Sequence, residues 1–178
     1  IELQQDGQSV ITATAITAKR RQTWSSDEQT PPAGPPPSEV ATFESAGLLA
    51  WLGCYEMKPI KGAMPTRWDG LGQDSLSQLW VRDKPARRLD FAALSALADV
   101  FFPRIFLRRA KRVPAGTVSM TVYFHADASQ LEEVGAGYLL AQASAQAFRH
   151  GFFDQTAQLW SEDGALLVTT QQVVYYKE

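Results

Sequence analysis

The chain has few of the residues on which disulfide, metal and redox chemistry depend. Its 178 residues include one cysteine, Cys54, and two histidines. A single cysteine excludes an internal disulfide and favours a reducing compartment, so we expect a cytoplasmic protein. His125 and His150 offer no metal-ligand spacing, and neither follows the motif that presents a nucleophilic serine. The sequence therefore predicts neither a bound metal nor a cofactor.

A strong net charge and long apolar runs are also missing. With 17 basic and 19 acidic side chains the formal net charge is −2, so no overall positive field would attract nucleic acid or an anionic membrane. No apolar run approaches the roughly 20 residues of a membrane-spanning helix, and no secretory signal is visible. Apolar residues nevertheless make up 45% of the chain, which is enough for a sizeable core.

Residues 89–102, followed by Pro103, predict one long helix. Asp90 is a suitable N-cap, and Pro103 cannot continue the helical pattern. At about 100° per residue the apolar side chains form one broad face, whereas small residues surround Asp99 on the other side. Such a helix is expected to be buried nearly all round. Asp99 is then either a structural carboxylate near the rim or a desolvated general base.

Most of the remaining chain predicts antiparallel strands, which together with the helix indicate the α+β class. Asp-Gly pairs at residues 6–7 and 163–164 are hairpin signals. Proline-rich residues 31–37 predict an extended connector and exclude a packed element. A row of alanines at positions 141, 143, 145 and 147 would let a helix lie close to the sheet. Strands are predicted at residues 50–59, 76–82, 117–125, 138–148, 152–160 and 165–177.

A basic run at residues 104–112 follows the predicted helix. Such a run is most often a solvated rim. It could alternatively lie at the mouth of a site for a phosphorylated ligand, because Arg and Lys pair with phosphate. Arg108, Arg109 and Lys111 are therefore candidate substrate-binding residues.

The two Asp-Gly hairpins resemble each other, since their hydrophobic pattern continues to a basic residue at the end of each second strand. This predicts an internal repeat. Residues 1–22 would be the C-terminal hairpin of a first unit, residues 23–49 a proline-rich linker, and residues 50–178 a complete second unit. Most of the first unit is then expected to lie outside this sequence. We also expect residues 1–20 to join one continuous sheet with the second unit.

Three stretches carry a resemblance to a known family: ALADVFFP (96–103), PAGTVSMTVYFHA (114–126) and AQLWSEDGALLVTTQQVVYYK (157–177). They resemble the second half of the acyl-CoA thioesterase II type, a double-hotdog family. The resemblance implies a hotdog fold, a long central helix wrapped by an antiparallel sheet, with an incomplete first repeat. It also implies an acyl-CoA substrate, hydrolysed to free fatty acid and CoA in fatty acid metabolism, and leaves a homo-oligomer open.

The same resemblance implies a catalytic site of three residues. Members of that family are implied to use three side chains to position and activate a water: an Asp of the hotdog helix, a Thr of the following strand and a Gln of the last strand. These residues fall on Asp99, Thr117 and Gln172. The match could shift to the neighbouring residues Ser119, Thr121 and Gln171.

Two alternatives to hydrolysis stay open. A non-catalytic acyl-binding or assembly module would fit the run Val-Val-Tyr-Tyr that follows Gln172, where the family has a small, polar-flanked pattern. A hotdog dehydratase would need a catalytic histidine, for which His125 is the only candidate, and local spacing places no carboxylate beside it. Convergence of Asp99, Thr117 and Gln172 on one cavity would favour hydrolysis.

Overall fold

The computed structural model describes the whole chain, residues 1–178, as one large antiparallel sheet and a separate hairpin. The hairpin consists of β1 (Glu2–Gln5) and β2 (Gln8–Thr12). The large sheet contains β3 (Tyr55–Lys61), β4 (Ser77–Asp83), β5 (Ala115–Phe124), β6 (Leu139–Ser144), β7 (Phe148–Arg149), β8 (Phe152–Trp160) and β9 (Leu166–Tyr176). Its strand order is β3-β4-β6-β8-β9-β5, with the short β7 paired to β8.

The helices are short: α1 (Phe91–Leu97), α2 (Arg104–Arg109) and α3 (Ala128–Val134). The prediction of one helix over residues 89–102 is therefore wrong in its extent, although Asp90 caps α1 by accepting a hydrogen bond from the Ala93 N–H at 2.6 Å. The chain leaves the helix because residues 100–102 are all buried. Three consecutive side chains cannot share one helix face. None of these helices combines the length and the apolarity that crossing a bilayer requires.

The core lies between α1 and the inner face of the sheet. Leu94 and Leu97 of α1 pack in one cluster with Ala141 and Ala143 of β6. The predicted alanine row is thus correct for its first half, whereas positions 145 and 147 follow the end of β6. A helix packed on one face of an antiparallel sheet is the hotdog arrangement that the resemblance implies. The helix is only seven residues long, however, and Phe91, Ala92 and Ala96 are exposed, so the expectation that it is buried nearly all round is wrong.

Two local predictions on the strands and helices need correction. Residues 50–54 form a 3-10 turn, Ala50–Cys54, and the strand begins only at Tyr55. The α3 helix was not predicted, although its sequence carries a capping signal. Asp127 accepts a hydrogen bond from the Gln130 backbone, and the Gln130 side chain accepts one from the Asp127 N–H, which together form a capping box.

The N-terminal hairpin does not join the large sheet, so the prediction of one continuous sheet is wrong. Its Asp6-Gly7 turn forms as expected, with φ values of 52° and 74°. However, β1 and β2 pair only with each other, and all of residues 1–30 are exposed. The segment after β2 is tied to the end of β5 through Arg20, which donates hydrogen bonds to the carbonyl oxygens of Phe124 and His125 at 2.9 and 2.8 Å.

The proline-rich segment packs on the outer face of the sheet, contrary to the prediction that it excludes a packed element. The Trp80 indole N–H donates to the Pro35 carbonyl at 2.9 Å, and Lys58 Nζ donates to the Pro37 carbonyl at 2.6 Å. Pro37 is buried. An extended proline segment has no internal hydrogen bonds, so its carbonyls are available to such donors. The division into residues 1–22, 23–49 and 50–178 stays a prediction.

Arg104 departs from the predicted solvated rim because it is completely buried. Its guanidinium donates to the Ser75 carbonyl at 2.9 Å, to Ser77 Oγ at 2.8 Å and to the Phe102 carbonyl. No carboxylate pairs with it, and burial lowers the pKa of Arg104 to about 9. The side chain therefore fixes the start of α2 to β4.

Candidate active site

A cavity of about 850 Å³ is bounded by the chain after α1, by α2 and by the strands β5, β8 and β9. This volume is typical of small-molecule sites, which measure roughly 300–1,000 Å³. Its walls are mostly apolar, including Leu52, Phe101, Phe102, Phe153 and Val174. The polar side chains on its walls are Asp99, Arg112, Thr117, Gln155 and Gln172.

The three predicted site residues all line this cavity and are connected by hydrogen bonds. The amide Nε2 of Gln172 donates to Asp99 Oδ1 at 2.5 Å. The hydroxyl of Thr117 donates to Gln172 Oε1 at 3.3 Å. Gln172 thereby joins the carboxylate and the hydroxyl through one amide group. It is also buried, with 2% of its surface exposed, so its orientation is held by the sheet around it.

Asp99 lies in the turn after α1 and not on the helix itself, which corrects the prediction. Its backbone N–H donates to the Ala96 carbonyl at 3.2 Å and closes that turn. Ala98 before it and Val100 after it are both buried. These two anchors fix the backbone of Asp99, while its side chain meets Gln172 of β9 at the cavity wall.

A β-bulge places Thr117 on the cavity side of β5. The register between β5 and β9 shifts between Thr117 and Ser119, so Val118 is an extra residue in β5. Thr117 then pairs with Val174, and Met120 pairs with Gln172. Without the bulge, two residues three positions apart would lie on opposite faces of a strand.

The alternative matches lie on the other face of the sheet. Ser119, Thr121 and Gln171 are exposed, and none of them lines the cavity. Gln171 follows the alternation of β9, in which Thr170 and Gln172 are buried. Of the candidate residues on these two strands, only Gln172 contacts Asp99 directly, and Thr117 is linked to it through Gln172.

The pKa of Asp99 is raised from its ordinary value of 3.8, chiefly because desolvation disfavours its charged form, while the hydrogen bond from Gln172 acts in the opposite direction. Asp99 is exposed as a residue, and its carboxylate lies at the cavity wall in contact with the Gln172 amide. A ligand that filled the cavity would remove more water from this group and raise its pKa further.

The candidate substrate-binding residues Arg108, Arg109 and Lys111 lie outside the cavity wall. Arg108 donates to the Gly72 carbonyl at 3.3 Å, and Arg109 and Lys111 pair with Glu178 at 3.3 and 3.7 Å. Their role in substrate binding stays a prediction.

Arg112, the last cation of the same run, does line the cavity. Its guanidinium lies 4.5 Å from the centre of the Trp68 ring, a distance typical of cation–π contacts. The ring orients the guanidinium at the cavity wall, and no carboxylate neutralises it.

Sequence reasoning missed one buried polar residue of the cavity, Gln155 on β8. It is 3% exposed. The alternation along β8 places it on the same inward face as Phe153, Ala157 and Leu159. A single amide in an otherwise apolar inward row was a signal in the sequence for a candidate site residue.

The two histidines lie outside the cavity. His125 Nε2 is 3.0 Å from Thr169 Oγ1 at the exposed end of β5, and His150 occupies the turn before β8 with φ 53°. No group of three or more His, Cys, Asp or Glu side chains is arranged to hold a metal ion. The cavity therefore offers carboxylate, hydroxyl, amide and guanidinium groups for chemistry.

Comparison with known proteins identifies relatives of this arrangement. The family model for the acyl-CoA thioesterase C-terminal domain matches residues 25–176. A conserved hotdog-fold protein of unknown function from Alicyclobacillus acidocaldarius is 44% identical with a TM-score of 0.92, and the match covers 99% of this chain and 66% of that one. None of the curated proteins matches the chain.

More distant structures share the fold. The TesB protein of Mycobacterium avium subs. paratuberculosis is 18% identical with a TM-score of 0.65, covering 86% of this chain and 56% of that one. An acyl-CoA thioesterase II of Mycobacterium marinum is 16% identical with a TM-score of 0.57, covering 88% and 59%. The chain thus spans less than two thirds of each relative. The family match over residues 25–176, on a hotdog fold, shows that the chain belongs to the acyl-CoA thioesterase C-terminal domain family.

Proposed function

We propose that this protein hydrolyses acyl-CoA thioesters to free fatty acid and CoA, with Asp99 as the general base. The observation that carries the proposal is the linked arrangement of Asp99, Gln172 and Thr117 on one largely apolar cavity. Family membership supports the same reaction class. A dehydratase is not favoured, because His125 lies outside the cavity.

The chemistry needs an activated water and a group that takes its proton. Asp99 takes the proton of the water as the water oxygen attacks the thioester carbonyl carbon. Thr117 and Gln172 hold the water and the carboxylate in a fixed relation, so that positioning lowers the barrier. When the carbon–sulfur bond breaks, the CoA thiolate takes the proton back from Asp99, and the base is restored.

The cavity walls suit the two parts of the substrate. The apolar side chains Leu52, Phe101 and Phe153 favour an aliphatic acyl chain, because burying it removes apolar surface from water. Arg112, held on Trp68 at the same cavity, supplies a cation for a phosphate of CoA. We assign Arg112 this role ahead of Arg108, Arg109 and Lys111, whose hydrogen bonds and ion pairs lie outside the cavity.

A thiol-release assay across acyl-CoA chain lengths tests the proposal. We expect turnover by the parent protein, and Asp99→Asn should lower kcat by about 10²–10⁴-fold, the usual contribution of general-base catalysis. The thermal midpoint should hardly change, because Asn preserves the shape of the side chain.

Asp90→Asn is the matched control, because Asn caps a helix as well as Asp does and Asp90 lies outside the cavity. It should retain parental activity. Equal turnover by Asp99→Asn and the parent would show that the assignment of the base is wrong. Acyl-CoA binding without any turnover would instead favour the acyl-binding module.

A further inference from the structure

Gln155 is a buried polar side chain of the cavity wall for which the protein supplies no hydrogen-bond partner. It is 3% exposed and lines the cavity, and its amide atoms still reach the cavity space. Most buried polar side chains are hydrogen-bonded, because an unpaired buried amide costs free energy. The amide is therefore available to a ligand.

The sheet places this amide beside Gln172, which holds the proposed base. In the β8–β9 register Gln155 lies directly opposite Gln172, and both side chains point inward. Directly opposed residues have Cβ atoms about 5 Å apart. The Gln172 amide donates a hydrogen bond to Asp99 and accepts one from Thr117. Gln155 thus lies next to the residue that holds the proposed base but takes no part in holding it.

The surroundings select the ligand atom. Next to Gln155 on the inward face of β8 are Phe153 and Ala157, which are apolar and buried. A saturated acyl chain has no hydrogen-bond acceptor, so its thioester carbonyl oxygen is the partner that an amide N–H can find there. This carbonyl must also lie close to Asp99, because the activated water attacks its carbon.

We propose that Gln155 donates a hydrogen bond to the thioester carbonyl oxygen and stabilises the negative charge that forms there during attack. The inference rests on the proposed thioester hydrolysis. As the water oxygen bonds to the carbonyl carbon, the π-electron pair moves onto the carbonyl oxygen, and the water proton goes to Asp99. The pair returns when the carbon–sulfur bond breaks. The amide of Gln155 keeps its protons throughout.

Gln155→Met tests the role, because Met has a similar shape but no donor. Loss of one donor to such an oxygen lowers kcat by about 10²–10³-fold, and we expect at least a tenfold fall in kcat, with KM changed by less than about threefold. Gln158→Met is the matched control, since it makes the same change on the outer face of the same strand and should leave kcat at the parental value.

A binding measurement separates this role from a structural one. In a ketone analogue of acyl-CoA a CH₂ replaces the sulfur, and in a thioether analogue a CH₂ replaces the carbonyl, so neither can be hydrolysed. We expect the parent to bind the ketone about fivefold more tightly than the thioether, the effect of one hydrogen bond. Gln155→Met should bind both equally, whereas Gln158→Met should keep the preference.

A kcat of Gln155→Met within tenfold of the parent, or an unchanged preference for the ketone, would overturn the inference. If Gln155→Met does not fold, Gln155→Leu decides by the same two measurements, because leucine also has no donor and suits the apolar wall. If the parent hydrolyses no acyl-CoA, the proposed function fails. In that case the binding measurement alone tests the role of Gln155: the parent must prefer the ketone, and Gln155→Met must lose that preference.

Discussion

The hairpins β1–β2 and β8–β9 both carry an Asp-Gly turn, but their strands have opposite surroundings. Leu3 and Ile11 of the first hairpin are 56% and 58% exposed, whereas Leu159 and Val168 of the second are completely buried. The turn residues specify a hairpin locally in both places. Neighbouring strands and the helix layer decide whether its side chains are covered.

This difference also explains where the candidate site lies. The inward row of β9 carries Gln172 at 2% exposure, and that of β8 carries Gln155 at 3%. A buried amide without a hydrogen-bond partner costs free energy. The Gln172 amide has partners within the protein, and the Gln155 amide is available to a ligand. Polar side chains of the N-terminal hairpin face water and are under no such constraint. In the aligned hairpins the position of Gln172 falls on Ala15.

The largest expected effect is on the free energy of unfolding. It is measured by replacing one leucine of the buried hairpin and one isoleucine of the exposed hairpin. Leu159→Ala should lower the free energy of unfolding by about 2–5 kcal/mol, because it leaves a cavity in the core. Ile11→Ala on the exposed β2 should change it by less than about 0.5 kcal/mol. Urea unfolding of both variants measures the difference. A strong loss in Ile11→Ala would mean that the N-terminal hairpin is covered in solution.

The next largest effect is expected on turnover. It is measured by replacing one glutamine in each hairpin. Gln172→Leu removes the hydrogen bond to Asp99, and hydrogen bonds to charged groups contribute about 1.5–3 kcal/mol. We therefore expect kcat to fall by roughly 10- to 100-fold. Gln8→Leu, on the exposed β2, should leave kcat unchanged. Parental turnover by Gln172→Leu would remove the basis for placing the site on the C-terminal hairpin.

The pH dependence of kcat/KM identifies the group that must lose a proton for turnover. Asp99 must lose its proton to act as a base, and its pKa is raised above 3.8 by desolvation. The acid limb of kcat/KM should therefore lie above pH 3.8, with activity rising as pH increases through it. Gln172→Leu removes the hydrogen bond that lowers this pKa, so its limb should move to still higher pH. An acid limb unaffected by Gln172→Leu would assign the titration to another group.

The sequence predicted which residues meet at the candidate site better than it predicted the shape of the helix. Asp99, Thr117 and Gln172 could be named because short stretches resemble a family. The helix was predicted to continue to Phe102, since a periodic pattern cannot show that Val100 is buried together with Phe101 and Phe102. Tertiary packing, which the local pattern does not contain, ended the helix.

The burial or orientation of residues that depend on long-range contacts also could not be predicted from the sequence. Arg104 belongs to a basic run and is buried because serines around β4, more than 25 positions away, accept its hydrogen bonds. The bulge at Val118 that turns Thr117 inward depends on pairing with β9. Gln155 was different, because the alternation of β8 alone already pointed to it.

The smallest expected effect concerns the cation at the cavity wall. Arg112 is exposed and stacked on Trp68, and an exposed ion pair contributes about 0.2–1 kcal/mol. Arg112→Ala should therefore raise KM for acyl-CoA by no more than about fivefold and leave kcat unchanged, and the difference should shrink as salt screens the contact.

Lys19→Ala removes a charge from the exposed N-terminal segment and should leave KM unchanged. If Lys19→Ala raised KM as much as Arg112→Ala does, a general electrostatic attraction of the whole surface would explain both. The N-terminal segment would then contribute to substrate binding through its charge, and the contrast between the two ends of the chain would hold for catalysis alone.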